Sequence, residues 1–472
     1  MIEPEASPRD VVNELWALCD ILRNDGVTSQ DYLTELTYIL FLKLLSERNL
    51  DNRLPNNVRW KMLVDCSPDL SLKNYNAMLK ALDGHENATI SSIYLNARTS
   101  IRSSDNFQRI LNVINSMSWY ASDFEVVGEI YEGLLEKIAT DRKSGAGQYF
   151  TPRPLIDCII TVMRPKEGEI IQDPAAGTGG FLVAASRAIN GQSSPIKNRA
   201  KIVGCEIVPE TFRLLLMNFL LHDMDVSGLI SGDAMAEAGA ALPRSDVILS
   251  NPPFGVSKRG RKPERANLTL TGASRNKQLA FIEHIGRGLS PNGRAAVIVP
   301  DNVLFAGGVA RQVRTWLLDN FVLHTILRLP SGIFYAQGIR TSVLFFNYIP
   351  GSSTSATWFY DLRAGLPAFG RSRPLRYEDF SDFISKFGEL PDGSIRPPEA
   401  EPELSRFRRF SRDDLACRDD TLDVVWLTEP DASEDILEDV NDLLEAVREH
   451  LQRASAAVEV LAARTDNDIS VQ

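Results

Sequence analysis

Asn251-Pro252-Pro253-Phe254 sets an amide, two prolines and an aromatic ring side by side, immediately after the apolar run Val247-Ile248-Leu249. A run of this kind reads as a buried strand, and an α/β sheet gathers its chemistry where strands end. Neither proline donates a backbone hydrogen bond, both restrict φ, and Pro252 also restricts Asn251 before it. The Asn251 amide and the nearby carbonyls are therefore held in a rigid turn. A fixed row of acceptors beside a ring suits a flat substrate that carries an NH2 group. The same four residues could also form an ordinary strand-ending turn with Phe254 plugging the core, so the rest of the chain has to decide.

Three further strand ends carry groups that fit such a site. Glu169 to Asp173 reads as a strand and Phe181 to Ala185 as the start of a helix, with the turn Pro174-Ala175-Ala176-Gly177-Thr178-Gly179-Gly180 between them. Gly177, Gly179 and Gly180 permit positive φ and close approach of backbone to a ligand, and the helix that follows aims its first amides at that ligand. The spacing is neither G-x-G-x-x-G nor G-x-x-x-x-G-K-[ST], which disfavours a nucleotide triphosphate and gives a dinucleotide little support. A second strand, Lys201 to Cys205, ends in Glu206, a carboxylate placed to take both hydroxyls of a ribose. Its distance from Asp173 exceeds the usual ~20 residues, and the polar segment Asn190 to Pro195 reads as a loop insertion that accounts for the excess. Leu229 to Asp233 gives a third element, whose Asp233 could accept from an adenine amino group. Each acid could alternatively cap a helix or end a solvated loop, but their order along the chain favours a common site.

The ordered set Gly147 to Arg153, Asp173 to Phe181, Glu206, Asp233 and Asn251 to Phe254 resembles the S-adenosylmethionine-dependent adenine-N6 DNA methyltransferases. More closely, the chain resembles the modification subunit of type I restriction enzymes, through the strings Lys143 to Leu155, Pro300 to Phe305 and Leu329 to Gly338. The resemblance runs to about Leu427 and weakens in the tail. It implies an α/β fold, a Rossmann-like class I methyltransferase sheet with an all-helical N-terminal domain and a C-terminal helical tail. It implies S-adenosyl-L-methionine as cofactor, contacted by Gln148, Tyr149, Phe150, Thr151, Pro152 and Arg153, by Thr178, Gly179 and Gly180, and by Glu206. Asp173, Gly177 and Asp233 complete that set. It also implies partners: a DNA specificity subunit, shared by two modification subunits, a restriction and translocase subunit, and duplex DNA.

The residues supply a mechanism for the implied reaction. Adenine N6 is a poor nucleophile because its lone pair is delocalised into the ring. Acceptors facing the N6 hydrogens favour a more tetrahedral nitrogen, and the Asn251 side-chain carbonyl and Pro252 main-chain carbonyl are the candidates, in a turn stiffened by Pro253. A sulfonium methyl is already activated, so neither a strong base nor a covalent enzyme intermediate is expected. Phe254 would stack on an adenine swung out of the duplex. Phe150 can cover the methionine end of the cofactor, while Thr151 and Pro152 read as the cap and first turn of a helix from Leu155 to Met163.

At 472 residues the chain is long enough for two or three domains, and 44% apolar content is ordinary for a globular protein. No apolar run approaches the ~18 residues of a membrane span and the acidic start is not a signal peptide, which together suit a cytoplasmic enzyme. Five scattered cysteines without a C-x-x-C suggest neither a disulfide frame nor a zinc site, and no metal is expected. His222, His284 and His324 lie in apolar patterns and read as packed. A net charge of -11 is wrong for a protein that grips DNA alone, because affinity for the duplex comes from neutralising phosphates. Most of the grip should come from a partner. Local basicity follows the turn at Lys258, Arg259, Arg261, Lys262 and Arg265, and suits phosphate contact beside the target base, though a solvated loop would look the same.

Four regions result. Residues 1–140 are expected to be helical, with stripes at Val12, Leu15, Trp16, Cys19 and Leu22 and at Leu33, Leu36, Leu40 and Leu44. Residues 141–350 form the catalytic sheet, ending in two strands, Leu323 to Leu327 and Ser342 to Phe346, with no helix between them, as an antiparallel pair. Residues 351–430 read as strands and loops. In 431–472 the positions Ile436, Val440, Leu443, Val447, Leu451, Ala454, Val458 and Leu461 make one apolar stripe on a long helix, suited to docking on a partner's helices. Methylation of structured RNA or of protein glutamine, or a silent cofactor-binding scaffold, are the alternative readings of the same turn.

Overall fold

The computed structural model describes residues 8–24, 26–47, 54, 57–116, 130–137, 150–190, 200–255, 265–272, 274–334, 339–364, 369, 373–396 and 405–427. The expected tail helix, the insertion after Asn190, Gln148 and Tyr149, and the basic residues Lys258, Arg259, Arg261 and Lys262 lie outside these.

The N-terminal region is helical where it is described: α1 (Pro8–Asn24), α2 (Ser29–Glu47), α3 (Lys61–Val64), α4 (Pro68–Leu82), α5 (Ala88–Tyr94), α6 (Ser104–Ser116) and α7 (130–137). Helix α1 buries its predicted stripe through Val12, Leu15, Cys19 and Leu22. Helix α2 departs from a single stripe, because it runs through the middle of the region and is buried on nearly every side, taking Glu35, Thr37 and Lys43 inside with it. Those polar groups are satisfied there. Tyr75 donates to Glu35 Oε2 at 2.7 Å, the Ser100 amide donates to the other carboxylate oxygen, and Thr37 meets the Tyr131 hydroxyl at 3.0 Å. The last contact joins α2 to α7.

After α8 (Arg153–Met163), strands and helices alternate as β1 (Ile170–Asp173), α9 (Gly180–Asn190), β2 (Lys201–Glu206), α10 (Pro209–Leu221), β3 (Leu229–Ser231), α11 (Glu237–Ala240), β4 (Ser245–Ser250), α12 (Lys277–Gly288) and β5 (Leu289–Pro300). There follow α13 (Asn302–Phe305), α14 (Val309–Asn320), β6 (Val322–Leu329), β7 (Thr341–Asn347), β8 (Ala356–Asp361), α15 (Ser381–Phe387), β9 (Phe407–Ser411) and α16 (Arg412–Ala416). The nine strands among the described residues form one sheet in the order β3-β2-β1-β4-β5-β7-β6-β8-β9. The first five pair in parallel and carry near-continuous apolar runs, as strands covered on both faces must. Strand β7 lies antiparallel between β5 and β6, which is the expected late pair. Residues beyond 350 continue the same sheet, since β8 pairs in parallel with β6 and β9 antiparallel with β8.

The chain reverses direction across the sheet between β1 and β4, the place where an open α/β sheet leaves a crevice beyond its strand ends. Helix α8 is fixed under this crevice by Arg294 of β5. Its guanidinium donates to the carbonyls of Met163 and Arg164 at the α8 C-terminus, at 2.8 and 2.9 Å, and to Glu169 at 2.7 Å. Carbonyls that a helix end leaves unpaired are thereby satisfied by a buried cation. Among the described residues no helix is long and apolar enough to cross a membrane.

Candidate active site

Strand ends β1, β2 and β4 converge through hydrogen bonds that the local sequence does not reveal. Asp173 closes β1 and is 2% exposed. Its Oδ1 accepts from the Ser250 hydroxyl at the end of β4, at 2.7 Å, and from the Ala175 amide at 2.9 Å. Burial pushes its carboxyl up to about 7, and the neighbouring Glu206 adds to the rise. Glu206 closes β2, accepting from the Gly177 amide at 2.9 Å and the Val208 amide at 2.7 Å, so one carboxylate shapes the glycine turn and starts α10. It is not the N-cap, which is Val208. Burial raises its carboxyl too. Asp233, after β3, is half-buried and accepts from the Met235 amide at 2.8 Å.

Gly177 and Gly179 both take positive φ, at 56° and 88°. At Gly179 the geometry admits nothing larger, because a Cβ would lie 2.6 Å from Leu215 Cδ1 and 3.0 Å from Phe219 on α10. Thr178 is held between these glycines by Asn218, whose Nδ2 donates to the Thr178 carbonyl at 2.9 Å. The sequence gives no sign of Asn218, which sits in the apolar run of α10.

Asn251 begins the turn after β4, and its Nδ2 donates to Thr151 Oγ1 at 3.0 Å. The bond orients the amide and leaves Oδ1 as its acceptor end. Thr151 therefore serves Asn251 and is not the helix cap expected of it; α8 begins at Arg153, with Pro152 at the N-cap position and no side-chain cap. Phe150, Thr151, Pro152, Arg153, Asp173, Thr178, Gly180 and Asn251 line one cavity of ≈ 60 Å³. Residues of the helical region close it: Glu132, Leu135 and Glu136 of α7 line the same cavity, and Glu132 is ion-paired with Arg153. Glu132 is buried, with Arg187 and His222 each 3.8 Å away. This participation of α7 is absent from the sequence reading.

Phe254 belongs to a different and larger cavity of ≈ 680 Å³, which it lines with Gln278, Pro300, Asn302, Phe305, Phe334 and Ile339. The turn 251–254 thus stands between two spaces, with Asn251 facing one and Phe254 the other. Of the residues expected to contact DNA, Arg265 is the one that is described. It is half-buried, donating to His284 Nδ1 at 2.6 Å and to the Ala234 carbonyl at 3.3 Å. His284 can accept because burial, with Arg265 adding to it, holds its ring at about 3 and hence neutral. All three histidines read as packed are of this kind, with burial lowering His222 to about 4 and His324 to about 3.

With this geometry in view, comparison with known proteins is decisive. A family model described as N-6 DNA Methylase matches residues 122–431, and one described as the HsdM N-terminal domain matches residues 11–123. The chain belongs to the N-6 DNA methylase family. It is 39% identical to the type I restriction enzyme StySPI methylase subunit of Salmonella potsdam, over 90% of this chain and 89% of that one. To the EcoKI methylase subunit of Escherichia coli K12 it is 38% identical over 90% and 89%. The crystal structure of the EcoKI M protein superposes with a TM-score of 0.55 at 34% identity, covering 93% of this chain and 94% of that one. A chain from a study of complex assembly and conformational transition of the type I R-M system gives 0.78 at 26% identity, covering 97% and 99%.

Membership makes this a type I modification methyltransferase, acting on N6 of DNA adenine with S-adenosylmethionine as methyl donor. The residues present fit that donor. The glycine turn admits close approach of a ligand, Glu206 and Asp233 stand at successive strand ends, and Asp173 lines the cavity as a carboxyl that a cationic group would hold in its charged form.

Proposed function

We propose that this chain methylates N6 of an adenine extruded from duplex DNA, in the cytoplasm, as the modification subunit of a type I complex whose sequence recognition comes from a separate specificity subunit. One observation carries the reading: Asn251 and Phe254 sit on one rigid turn but open into two different cavities, the first walled by the glycine turn and the second large enough for a base. S-adenosylmethionine, when bound, supplies a methyl group activated by its sulfonium. Asp173, Thr178, Gly180, Glu206 and Asp233 hold it, with Phe150 and Arg153 at its side.

Asn251 acts through position. Thr151 takes one end of its amide, so Oδ1 is the end that accepts a hydrogen of the adenine amino group, alongside the Pro252 carbonyl. Accepting both hydrogens draws the nitrogen towards tetrahedral geometry and frees its lone pair for attack. The proton surplus to the product passes to solvent, and no residue need be a strong base. Phe254 stacks on the extruded ring. The basic stretch Lys258, Arg259, Arg261 and Lys262, four residues or more past Phe254, contributes phosphate contacts together with Arg265.

The net charge of -11 supports the division of labour, since phosphate neutralisation must come largely from another chain. The 431–472 stripe supplies the docking surface for it. The experiment is co-expression of the chain with its genomic neighbours, with sequencing of modified adenines in host DNA. The parent modifies one sequence class, and Asn251→Ala reduces the rate by ~100-fold or more, the usual loss for a transition-state hydrogen bond. Undiminished methylation by Asn251→Ala overturns the role of the turn. Methyl transfer to RNA or protein in place of DNA overturns the substrate.

A further inference from the structure

Gly255, immediately after Phe254, is exposed and takes φ 96°, with open space where a Cβ would stand. Both of its backbone groups are nevertheless tied to the first turn of α12. The Gly255 amide donates to Gln278 Oε1 at 2.9 Å, and the Gly255 carbonyl accepts from the Lys277 amide at 3.1 Å. Gln278 itself is 1% exposed, a neutral polar side chain placed where a helix would ordinarily bury a hydrocarbon. Its position is fixed from two sides. Asn276 caps α12 by accepting from the Leu279 amide at 3.2 Å, and Gln278 Nε2 reaches Asn302 Oδ1 at 3.5 Å. Gln278 also lines the ≈ 680 Å³ cavity together with Phe254.

We propose that Gln278 is a positioning residue for base capture: by accepting from the Gly255 amide it fixes the Phe254–Gly255 peptide, and so the direction in which the Phe254 ring faces the cavity. The argument is one of restraint at the open end of a turn. Pro252 and Pro253 stiffen the turn from the strand side, but the two prolines impose nothing on the peptide after Phe254. Without Gln278 the N–H of that peptide loses its tie, and the hydrogen bond that remains is made by the Gly255 carbonyl on the following peptide, across a glycine that is free to take many conformations. A ring that must receive an extruded base then has to be ordered at the moment of binding, and the cost falls on DNA affinity and not on cofactor affinity. The inference rests on the proposed base-extrusion function.

The test uses the complex co-expressed with its own specificity partner and unmodified host genomic DNA as substrate, with radiolabelled methyl transfer as the rate. Gln278→Met keeps the volume but removes the acceptor. Gln278→Glu keeps an acceptor oxygen in the same place. Expected are a KM for DNA raised roughly five- to tenfold in the Met variant, the loss of one hydrogen bond's worth of restraint, and substantial rescue in the Glu variant. S-adenosylmethionine affinity, measured by calorimetry without DNA, stays at the parent's value in both, which certifies the fold, while the thermal midpoint falls in the Glu variant, whose carboxyl is buried. An unchanged KM for DNA in Gln278→Met overturns the proposal, as does equal loss in the Met and Glu variants. If Gln278→Met does not fold, Gln278→Glu decides alone, and a raised KM there counts against the acceptor. Failure of the parent to methylate DNA would instead refute the proposed function, so the two are told apart.

Discussion

Asp173 is a carboxyl whose burial holds it at about 7, in a pocket proposed to receive a cation. Its charged form is what the ligand wants, so binding must draw a proton off it whenever the solution is below neutrality. Affinity for S-adenosylmethionine is expected to climb as pH rises towards about 7 and to level off above. Asp173→Asn should flatten that dependence, keeping an acceptor for Ser250, and calorimetry across pH 5.5–8.5 reads it out; a slope that survives in the Asn variant assigns the proton elsewhere. Phe254→Ala gives a different signature, a rise of ~10-fold or more in KM for DNA with cofactor affinity intact, since stacking on a base is worth about 1–3 kcal/mol. Phe254→Tyr should retain most activity.

Between elements, the decisive feature is the ion pair that helix α7 makes across the cofactor cavity, Glu132 to Arg153. The cavity it borders is ≈ 60 Å³, small beside the ~300 Å³ at which ligand pockets begin, and we expect α7 to shift when the donor enters. Glu132→Gln should loosen that hold. We expect S-adenosylmethionine to associate roughly three- to fivefold faster, the worth of a partly exposed ion pair, with faster amide exchange in 130–137; slower association would mean that Glu132 supports the bound cofactor instead. Helix α2 offers a second test. Burial lifts Glu35 to about 7, so the folded state binds a proton the unfolded chain releases, and stability contributed by this group is lost as pH rises towards 7. Glu35→Gln should remove that slope, read by amide exchange of α2 at pH 5 and 8. These couplings mark the limit of what the sequence discloses. The strand ends, α14 at Val309–Asn320 and the antiparallel β6–β7 pair follow from apolar runs and local chemistry. Thr151 with Asn251, Glu132 with Arg153, and Gln278 with Gly255 join residues distant in sequence, and no periodicity carries such pairings. The tie from Arg265 to His284 is hidden for the same reason, because a basic run says nothing of which guanidinium turns inward to a neutral histidine.

At the scale of the molecule, the charge of -11 predicts that the isolated chain binds duplex weakly and that the assembled complex gains a steep salt dependence from its partner. Truncation after Glu429 is expected to leave a folded protein that binds S-adenosylmethionine with the parent's affinity but no longer co-purifies with the specificity subunit; retained co-purification removes the 431–472 stripe from that role. The two margins of the sheet bear on how such assembly can occur. Among the described residues one side ends in β3, only 3 residues long, and the other in β9, which carries Arg408 and Arg409 in succession, on opposite faces. Neither gives an intruding strand a long neutral template to zip onto. Recruitment of other chains is thereby steered away from backbone ladder extension and towards side-chain surfaces, and the same arrangement guards a nine-strand sheet against fibrillar association while it waits for its partners.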